Sequence, residues 1–409
     1  MSAEKVDTLI IGGGQAGLAM SMHLSKRKVP HLILERYRIA ERWRSERWDS
    51  LVANGPAWHD RFPDLKFDDI PPDSFATARR IVDYLVAYAE KIKAPVRTGV
   101  EVTALSRKSD GSGFRAETSQ GTIEAVNVVA ATGPFQKPIT PTVVPSDSGI
   151  TQVHAADYRN PDQLREGAVL VVGAGSSGVQ IADEIRGAGR RVYLSVGPHD
   201  RPPRRYRGKD FVWWLGALGM WNAKTLGPGM EHVTIAVSGA HGGHTVDFRQ
   251  LAASGITLVG RARGYEQGVM HFAPDVAEMV KRGDANYLSM LDAADAHIAE
   301  HGLDFPQEPE ARRMLPDPAC MTHPILQLNL AEADVKSIIW ATGYSLDFGW
   351  IKVADALDGK GTPLHQNGVS SVPGLYFIGL AWLSRRASPF IWGVWHDADY
   401  LAGHIAGRR

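Results

Sequence analysis

Two stretches of this chain share one pattern of hydrophobic and polar positions. Residues 6–11 (VDTLII) and 168–172 (AVLVV) are short, nearly continuous apolar runs, the pattern of strands covered on both faces. Each run stops at glycine. Beyond the glycines, apolar residues return at helical spacing, through residues 15–26 in the first case and residues 177–186, with Val179, Ile181, Ala182 and Ile185, in the second. A further apolar strand follows each helix, at 31–34 and 192–196. The pattern predicts two strand–helix–strand units, and hence an α/β protein with two Rossmann-like dinucleotide-binding domains.

The rest of the chain is predicted around these units. A helix is expected over residues 77–93, with Ile81, Leu85, Tyr88 and Ile92 on one face. Short strands at 100–105 and 114–118 flank the turn-forming run 109–113 (SDGSG). Residues 128–134 (VVAATGP) form a strand ending in small residues, and a related ending returns at 338–344 (IIWATGY). Small residues at Ala131, Thr132 and Gly133, and at Ala341, Thr342 and Gly343, let connecting chain pass close to a bound cofactor. The last strand is expected at 375–379, ending in Gly379. The second unit, residues 147–332, therefore reads as an insertion into a discontinuous first domain made of residues 1–146 and 333–409.

The glycines carry the chemistry. Gly12, Gly14, Gln15, Ala16 and Gly17 form the first fingerprint, and Gly173, Gly175, Ser176, Ser177 and Gly178 the second. Set between a strand and a helix, each lets the backbone turn tightly and brings N–H groups up to a pyrophosphate. The strand at 31–34 ends in Glu35, where a carboxylate can accept hydrogen bonds from an adenosine ribose; that suits FAD or NAD. The matching strand of the second unit contains Ser195 and no terminal acid, and Arg201, Arg204, Arg205, Arg207 and Lys209 follow. A missing carboxylate beside arginines suits the 2′-phosphate of NADP(H). The alternative reading of that cluster is a solvated basic loop.

Composition narrows the class. Lysine plus arginine and aspartate plus glutamate stand at 45 each, so no global field attracts nucleic acid or an anionic membrane. No stretch approaches the ~20 apolar residues needed to span a bilayer, and the N-terminus runs into the first strand without a signal-peptide pattern; a cytoplasmic protein is expected. Cys320 is the single cysteine, so the cysteine pair of disulfide reductases is absent. No metal site is expected, since His241 and His244 have no cysteine or carboxylate at ligand spacing.

The arrangement resembles the single-component, class B flavin monooxygenases: the flavin-containing monooxygenases, the plant-type indole-3-pyruvate monooxygenases and, more distantly, the Baeyer-Villiger enzymes. The resemblance covers essentially the whole chain, and rests on the first fingerprint with Glu35, both Ala-Thr-Gly linkers and the second fingerprint. It includes His154-Ala-Ala-Asp-Tyr158, although Ser148 and Ile150 stand where that family's motif has phenylalanine and glycine. A sharper likeness, through Arg204-Arg205-Tyr206-Arg207-Gly208 and residues 392–400, is to bacterial FAD/NAD(P)-dependent oxidoreductases of mostly unassigned substrate. The segment 50–56 (SLVANGP) resembles the one whose asparagine faces the flavin ring, which gives Asn54 the catalytic role. Trp43 matches an aromatic near the ribityl and dinucleotide portion, and Arg36 and Val102 join the expected FAD contacts.

The resemblance implies FAD on the first fingerprint and NADPH on the second. Reduced flavin then reacts with O2 to a C4a-hydroperoxide, which passes one oxygen atom to a small organic substrate. The oxidation is expected at nitrogen, sulfur or an aromatic ring, or at a carbonyl. The alternatives are an NADPH oxidase or electron-acceptor reductase on the same fold, and a non-catalytic nucleotide-binding sensor. Candidate pocket linings are residues 206–221, with Trp213 and Trp214, and Trp382, Phe390, Trp392 and Trp395; exposed aromatics there permit a homodimer.

Overall fold

The computed structural model describes residues 3–225 and 234–408. β1 (Glu4–Ile11) runs through the middle of a nine-stranded sheet, as its apolar character requires; Leu9 and Ile10 are fully buried. Its parallel neighbours are β2 (His31–Glu35) and β6 (Gly121–Ala130), with Ile11 opposite both Leu34 and Ala130. β3 (Val96–Thr98) lies outside β2. The hairpin of β4 (Val102–Arg107) and β5 (Phe114–Thr118) adds antiparallel to β6.

β7 (Lys137–Pro138) lies in the outgoing connection, after which β8 (Thr151–His154), β9 (Ala168–Val172) and β10 (Val192–Ser195) enter a second sheet. A small hairpin, β11 (Arg205–Tyr206) with β12 (Lys209–Asp210), follows. β13 (Ile256–Val259) closes one edge of the second sheet. β14 (Ala262–Glu266), β15 (Val269–Phe272) and β16 (Gln327–Asn329) form a separate antiparallel ribbon, and β17 (Val335–Trp340) returns to the second sheet. The chain then re-enters the first domain through β18 (Tyr344–Ser345), and β19 (His365–Gln366), β20 (Val369–Ser370) and β21 (Leu375–Phe377) finish the first sheet.

The parallel cores of the two sheets are built alike. In the first the order is β3-β2-β1-β6-β21, and in the second β13-β10-β9-β17-β8, all parallel. In each, the fingerprint strand sits centrally and the strand beside it, β6 or β17, ends in Ala-Thr-Gly. Val335–Trp340 therefore belongs to the second sheet, and the chain returns to the first domain after Trp340 rather than at residue 333 as expected. The two outgoing linkers also meet: β7 and β18 pair antiparallel, with Tyr344 opposite Pro138.

Helices cover the sheets. α1 (Gln15–Lys26) follows β1, α2 (Glu41–Ser45) is short, and α3 (Ala78–Lys91) begins where Thr77 Oγ1 accepts from the Arg80 N–H. α4 (Ser176–Gly187) follows β9 as α1 follows β1. α5 (Phe211–Ala217), α6 (Phe248–Ala253), the long α7 (Val276–His301) and α8 (Ala319–Thr322) surround the second sheet. α9 (Val394–Gly407) returns to pack on the first domain, where Leu18, Met20, Ile81, Leu85, Val394 and Leu401 share one core.

Candidate cofactor and oxygen-chemistry site

Both fingerprints adopt the same local geometry. Gly12 and Gly173 have φ +116°, a conformation L side chains rarely take, and a β-carbon there would stand 2.6 Å from the Ala131 carbonyl oxygen or 2.4 Å from that of Ala341. The first glycine of each motif is thus pressed against the Ala-Thr-Gly linker from the neighbouring strand. Gly14 and Gly175, which precede α1 and α4, are extended, and neither helix start carries a side-chain cap. Their N–H groups are left for an anion. A β-carbon on Gly14 would meet nothing within 4 Å, so the space that a pyrophosphate needs lies directly in front of it.

Of the remaining residues expected at the first site, Glu35 and Gly379 touch the fingerprint itself. Glu35 Oε2 accepts from the Gly13 N–H at 2.8 Å and Oε1 from the Tyr37 N–H at 2.9 Å, which fixes the carboxylate beside the fingerprint. Arg36 is exposed with Glu101 3.9 Å away, and Val102 opens β4 close to Val100, whose N–H bonds the Glu35 carbonyl. Gly379, past β21, approaches Ala16 so closely that a β-carbon would stand 2.7 Å from that residue's own. The carbonyl of Gly133 and the Thr132 hydroxyl both accept from the Gln136 amide, at 2.7 and 2.8 Å. Trp43, on α2, packs against the cores of both domains.

His154 locks the return linker. Its Nδ1 accepts from the Ala156 N–H at 3.1 Å, so Nε2 carries the proton and donates to the Gly343 carbonyl, also at 3.1 Å. Burial holds this imidazole below the ordinary histidine value, so the neutral ring is the form that does the bonding. Burial likewise pushes up the Tyr344 hydroxyl, whose ring packs on that of His154. Thr342 donates its hydroxyl hydrogen to the Ile139 carbonyl, tying the two linkers again.

Asn54 lies where the domains meet. Gln180 Nε2, on α4, donates to the Val237 carbonyl at 2.7 Å and to Asn54 Oδ1 at 2.9 Å. The carbonyl can only accept, so the Gln180 amide orientation is fixed, and with it that of Asn54, whose Nδ2 hydrogens are left for a ligand. Arg204 Nη1 donates to the Asn54 backbone carbonyl at 2.7 Å. Gln180 was not among the residues expected; its only sequence signal is its place five residues beyond Gly175 on the second fingerprint helix.

The arginine cluster is corrected by the structure. Arg204 is buried and paired with Asp210 at 2.5 Å, Arg201 is buried on Asp284 at 2.9 Å, and Arg207 meets Asp295 at 2.8 Å. These cations hold the second domain together and are not free for a phosphate; Arg205 alone of the four is exposed, against the Gly242 and Gly243 carbonyls. Ser195 is also turned inward, 3% exposed, its hydroxyl donating to the Gly260 carbonyl and accepting from the Ala262 N–H. The cation at the ends of β10 and β13 is Arg261, whose Cγ lies 3.8 Å from where a β-carbon on Gly197 would stand. Asp275 accepts from its Nε at 2.6 Å, and the side chain is 44% exposed, which leaves its terminal nitrogens toward solvent.

The aromatic candidates divide. Trp214 is fully buried core with Nε1 on the Tyr206 carbonyl, while Trp213, on Phe305, and Trp395, on Phe62 and His23, pack half-buried against their cores. Trp221, Trp392 and Phe390 gather instead around His59, in the segment that follows Asn54. Among the described residues no group of histidine, cysteine or carboxylates is arranged to hold a metal, and no helix is long and apolar enough to cross a membrane.

Two alike nucleotide folds with uncapped fingerprint helices, joined by twin linkers, define a two-dinucleotide architecture. Residues 9–215 match the family model of the pyridine nucleotide-disulphide oxidoreductases, and the chain belongs to that family. Along its whole length it is similar to the "Uncharacterized oxidoreductase CzcO-like" of Geobacillus kaustophilus, 34% identical over 404 residues and 98% of each chain. Over 195 residues, 47% of this chain and 45% of the other, it is 34% identical to the probable indole-3-pyruvate monooxygenase YUCCA1 of Arabidopsis thaliana. Its fold is similar to the flavin-containing monooxygenase from Stenotrophomonas maltophilia (TM-score 0.67, 18% identity, 99% of both chains). The bacillithiol disulfide reductase of Staphylococcus aureus is a further match (TM-score 0.63, 13% identity, 99% of both). The chain is a flavin-dependent oxidoreductase of that family, with FAD and a pyridine nucleotide as its cofactors.

Proposed function

We propose that this protein is an NADPH-dependent monooxygenase that transfers one oxygen atom of O2 to a small organic substrate, with FAD at the first fingerprint and NADPH at the second. Asn54 carries the reading: an amide at the junction of the two nucleotide domains, its oxygen engaged by Gln180 and its Nδ2 hydrogens directed elsewhere. When bound and reduced, FAD supplies the activation of O2.

The chain's own residues do the rest. The N–H groups at the starts of α1 and α4 take the two pyrophosphates, and Glu35 takes the adenosine ribose of FAD. Arg261, rather than Arg204, takes the 2′-phosphate of NADPH; Asp275 fixes its Nε and leaves its other nitrogens for a two-pronged contact. Asn54 Nδ2 would donate a hydrogen bond to the cofactors bound at the junction of the two domains. A pre-set donor in a site closed to water is worth far more than one in solvent.

Stopped-flow mixing of NADPH-reduced protein with O2 tests this. The expected result is a transient absorbance distinct from both oxidised and reduced flavin that persists only when NADP⁺ is present. Direct return to oxidised flavin with stoichiometric H2O2 would instead make the protein an oxidase.

A further inference from the structure

His59 is buried at 8% exposure five residues after Asn54, and it is held from one side only. Its Nδ1 lies 2.8 Å from Asp60 Oδ1, while Asp60 Oδ2 accepts from the Gly55 N–H at 3.0 Å. The carboxylate that orients the imidazole therefore also anchors the backbone next to Asn54. Because Asp60 accepts, Nδ1 carries the hydrogen and Nε2 of the neutral ring is an acceptor. Among the described residues Nε2 has no partner, although it is sealed from water.

A second orphan stands beside it. Trp392 Nε1, which can only donate, is likewise buried without a partner, and the Trp392 ring meets that of His59 edge-on at 5.2 Å. Trp221 stacks on His59 at 5.2 Å and an interplanar angle of 21°, and Trp58 packs on its edge at 5.5 Å. Phe390, 41% exposed, closes on Trp221 at 5.3 Å and is the ring of the group that reaches solvent. The preceding residue, Pro389, accepts from Gln15 Nε2 of the first fingerprint at 2.7 Å, so the box adjoins the cofactor site at both Asn54 and Gln15.

Buried donors and acceptors in folded proteins are nearly always satisfied. An unsatisfied acceptor and an unsatisfied donor on two rings that meet edge-on match a single hydroxyl, which gives its hydrogen to His59 Nε2 and takes one from Trp392 Nε1. We propose that this box is the substrate subsite and that it takes a hydroxyl-bearing aromatic compound of the phenol class, with His59, positioned by Asp60, as its specificity-determining residue. The proposal rests on the monooxygenase reading for calling the ligand a substrate; the binding site itself does not.

Isothermal titration of the FAD-loaded protein with 4-ethylphenol and with 4-ethylanisole, which keeps the ring and the oxygen but carries a methyl group in place of the hydroxyl hydrogen, tests it. The phenol is expected to bind ~10–100-fold more tightly, since the ether leaves His59 Nε2 unsatisfied. His59→Phe and Trp392→Phe, compared at matched flavin content, should each reduce that preference to within about threefold. Equal wild-type affinities, no binding of the phenol, or a preference that survives both changes overturns the proposal. If His59→Phe fails to fold, Trp392→Phe and the wild-type comparison still decide it. The oxygen transient, measured without any phenol, reports separately on the monooxygenase reading: selective phenol binding without it sinks that reading alone, and the reverse result sinks the subsite alone.

Discussion

Asn54 Oδ1 and Gln180 Nε2 are joined across the two nucleotide domains by a 2.9 Å hydrogen bond, and the Val237 carbonyl makes the direction of that bond unambiguous. The asparagine proposed to face the flavin is thus held by the helix proposed to receive the other nucleotide. Replacing Asn54 with alanine is expected to leave NADPH reduction of the flavin within about threefold of wild type while shortening the oxygen transient at least ~10-fold, the scale of one lost pre-set donor. Stopped-flow absorbance separates the two phases. Slowed reduction with an intact transient would place Asn54 on the hydride side of the chemistry. Gln180→Leu should produce a milder version of the same defect, because it frees the Asn54 amide to rotate.

The glycines of the first fingerprint divide into two kinds. Gly14 has an ordinary φ of −89° and open space where a β-carbon would go, so Gly14→Val should fold with an unchanged melting temperature in the FAD-free state and yet lose FAD affinity at least ~10-fold. Gly12→Ala places a β-carbon 2.6 Å from a carbonyl oxygen at positive φ, and should lower stability by about 1–3 kcal/mol or more even without cofactor. Differential scanning fluorimetry with and without FAD distinguishes the two behaviours; an equal loss of stability in both variants would contradict the assignment.

Arg261 and Arg204 should separate in the same way. Arg261→Ala is expected to raise the KM for NADPH about tenfold with little change for NADH, the signature of a lost 2′-phosphate contact. Arg204→Ala strands Asp210 as a buried, unpaired carboxylate and should cost about 3–5 kcal/mol of stability. Steady-state kinetics with both nucleotides, beside urea unfolding, checks the pair. A selective rise in the KM for NADPH in Arg205→Ala instead would return the role to the expected cluster.

His154 gives the linker a pH dependence. Burial lowers its value in the folded protein below the 6.5 of a free histidine, so on acidification the unfolded chain takes up the proton first. The sign follows: the contribution is complete above pH ~6.5 and is lost as pH falls from there toward the folded value. His154→Gln should therefore show a shallower fall of melting temperature between pH 7.5 and about pH 5 than the wild type. Parallel slopes in the two proteins would remove His154 from the account.

Much of this was readable before any coordinates, because the informative features are local. Strand, glycine turn and helix lie within a score of residues, so α1 is found where the spacing put it and α4 differs by one residue at each end. What escaped was non-local. Arg201 and Asp284 are separated by 83 positions, and nothing near Arg201 announces that α7 will bring it a carboxylate. Arg261 carries no motif, and is placed by the parallel pairing of β13 with β10. The boundary expected at residue 333 falls before β17, whose ending copies that of β6, and only strand pairing shows that each fingerprint has its own copy of that neighbour. His59 carries no motif, and is enclosed by Trp221 and Trp392 from far along the chain.

The pairing of β7 with β18 restricts how nicotinamide and flavin can approach. The two domains are connected not by one strap but by a double cord, paired at β7 and β18, held by His154 on Gly343 and by Gln136, whose Oε1 accepts from the Asp347 N–H. A single tether would allow the second domain to swivel in any direction; a double one resists twisting and favours a single bending axis. Since each cord begins at the residue pressed against a fingerprint's first glycine, bending would shift both phosphate cradles together, and gating of hydride delivery would be built into the attachment itself.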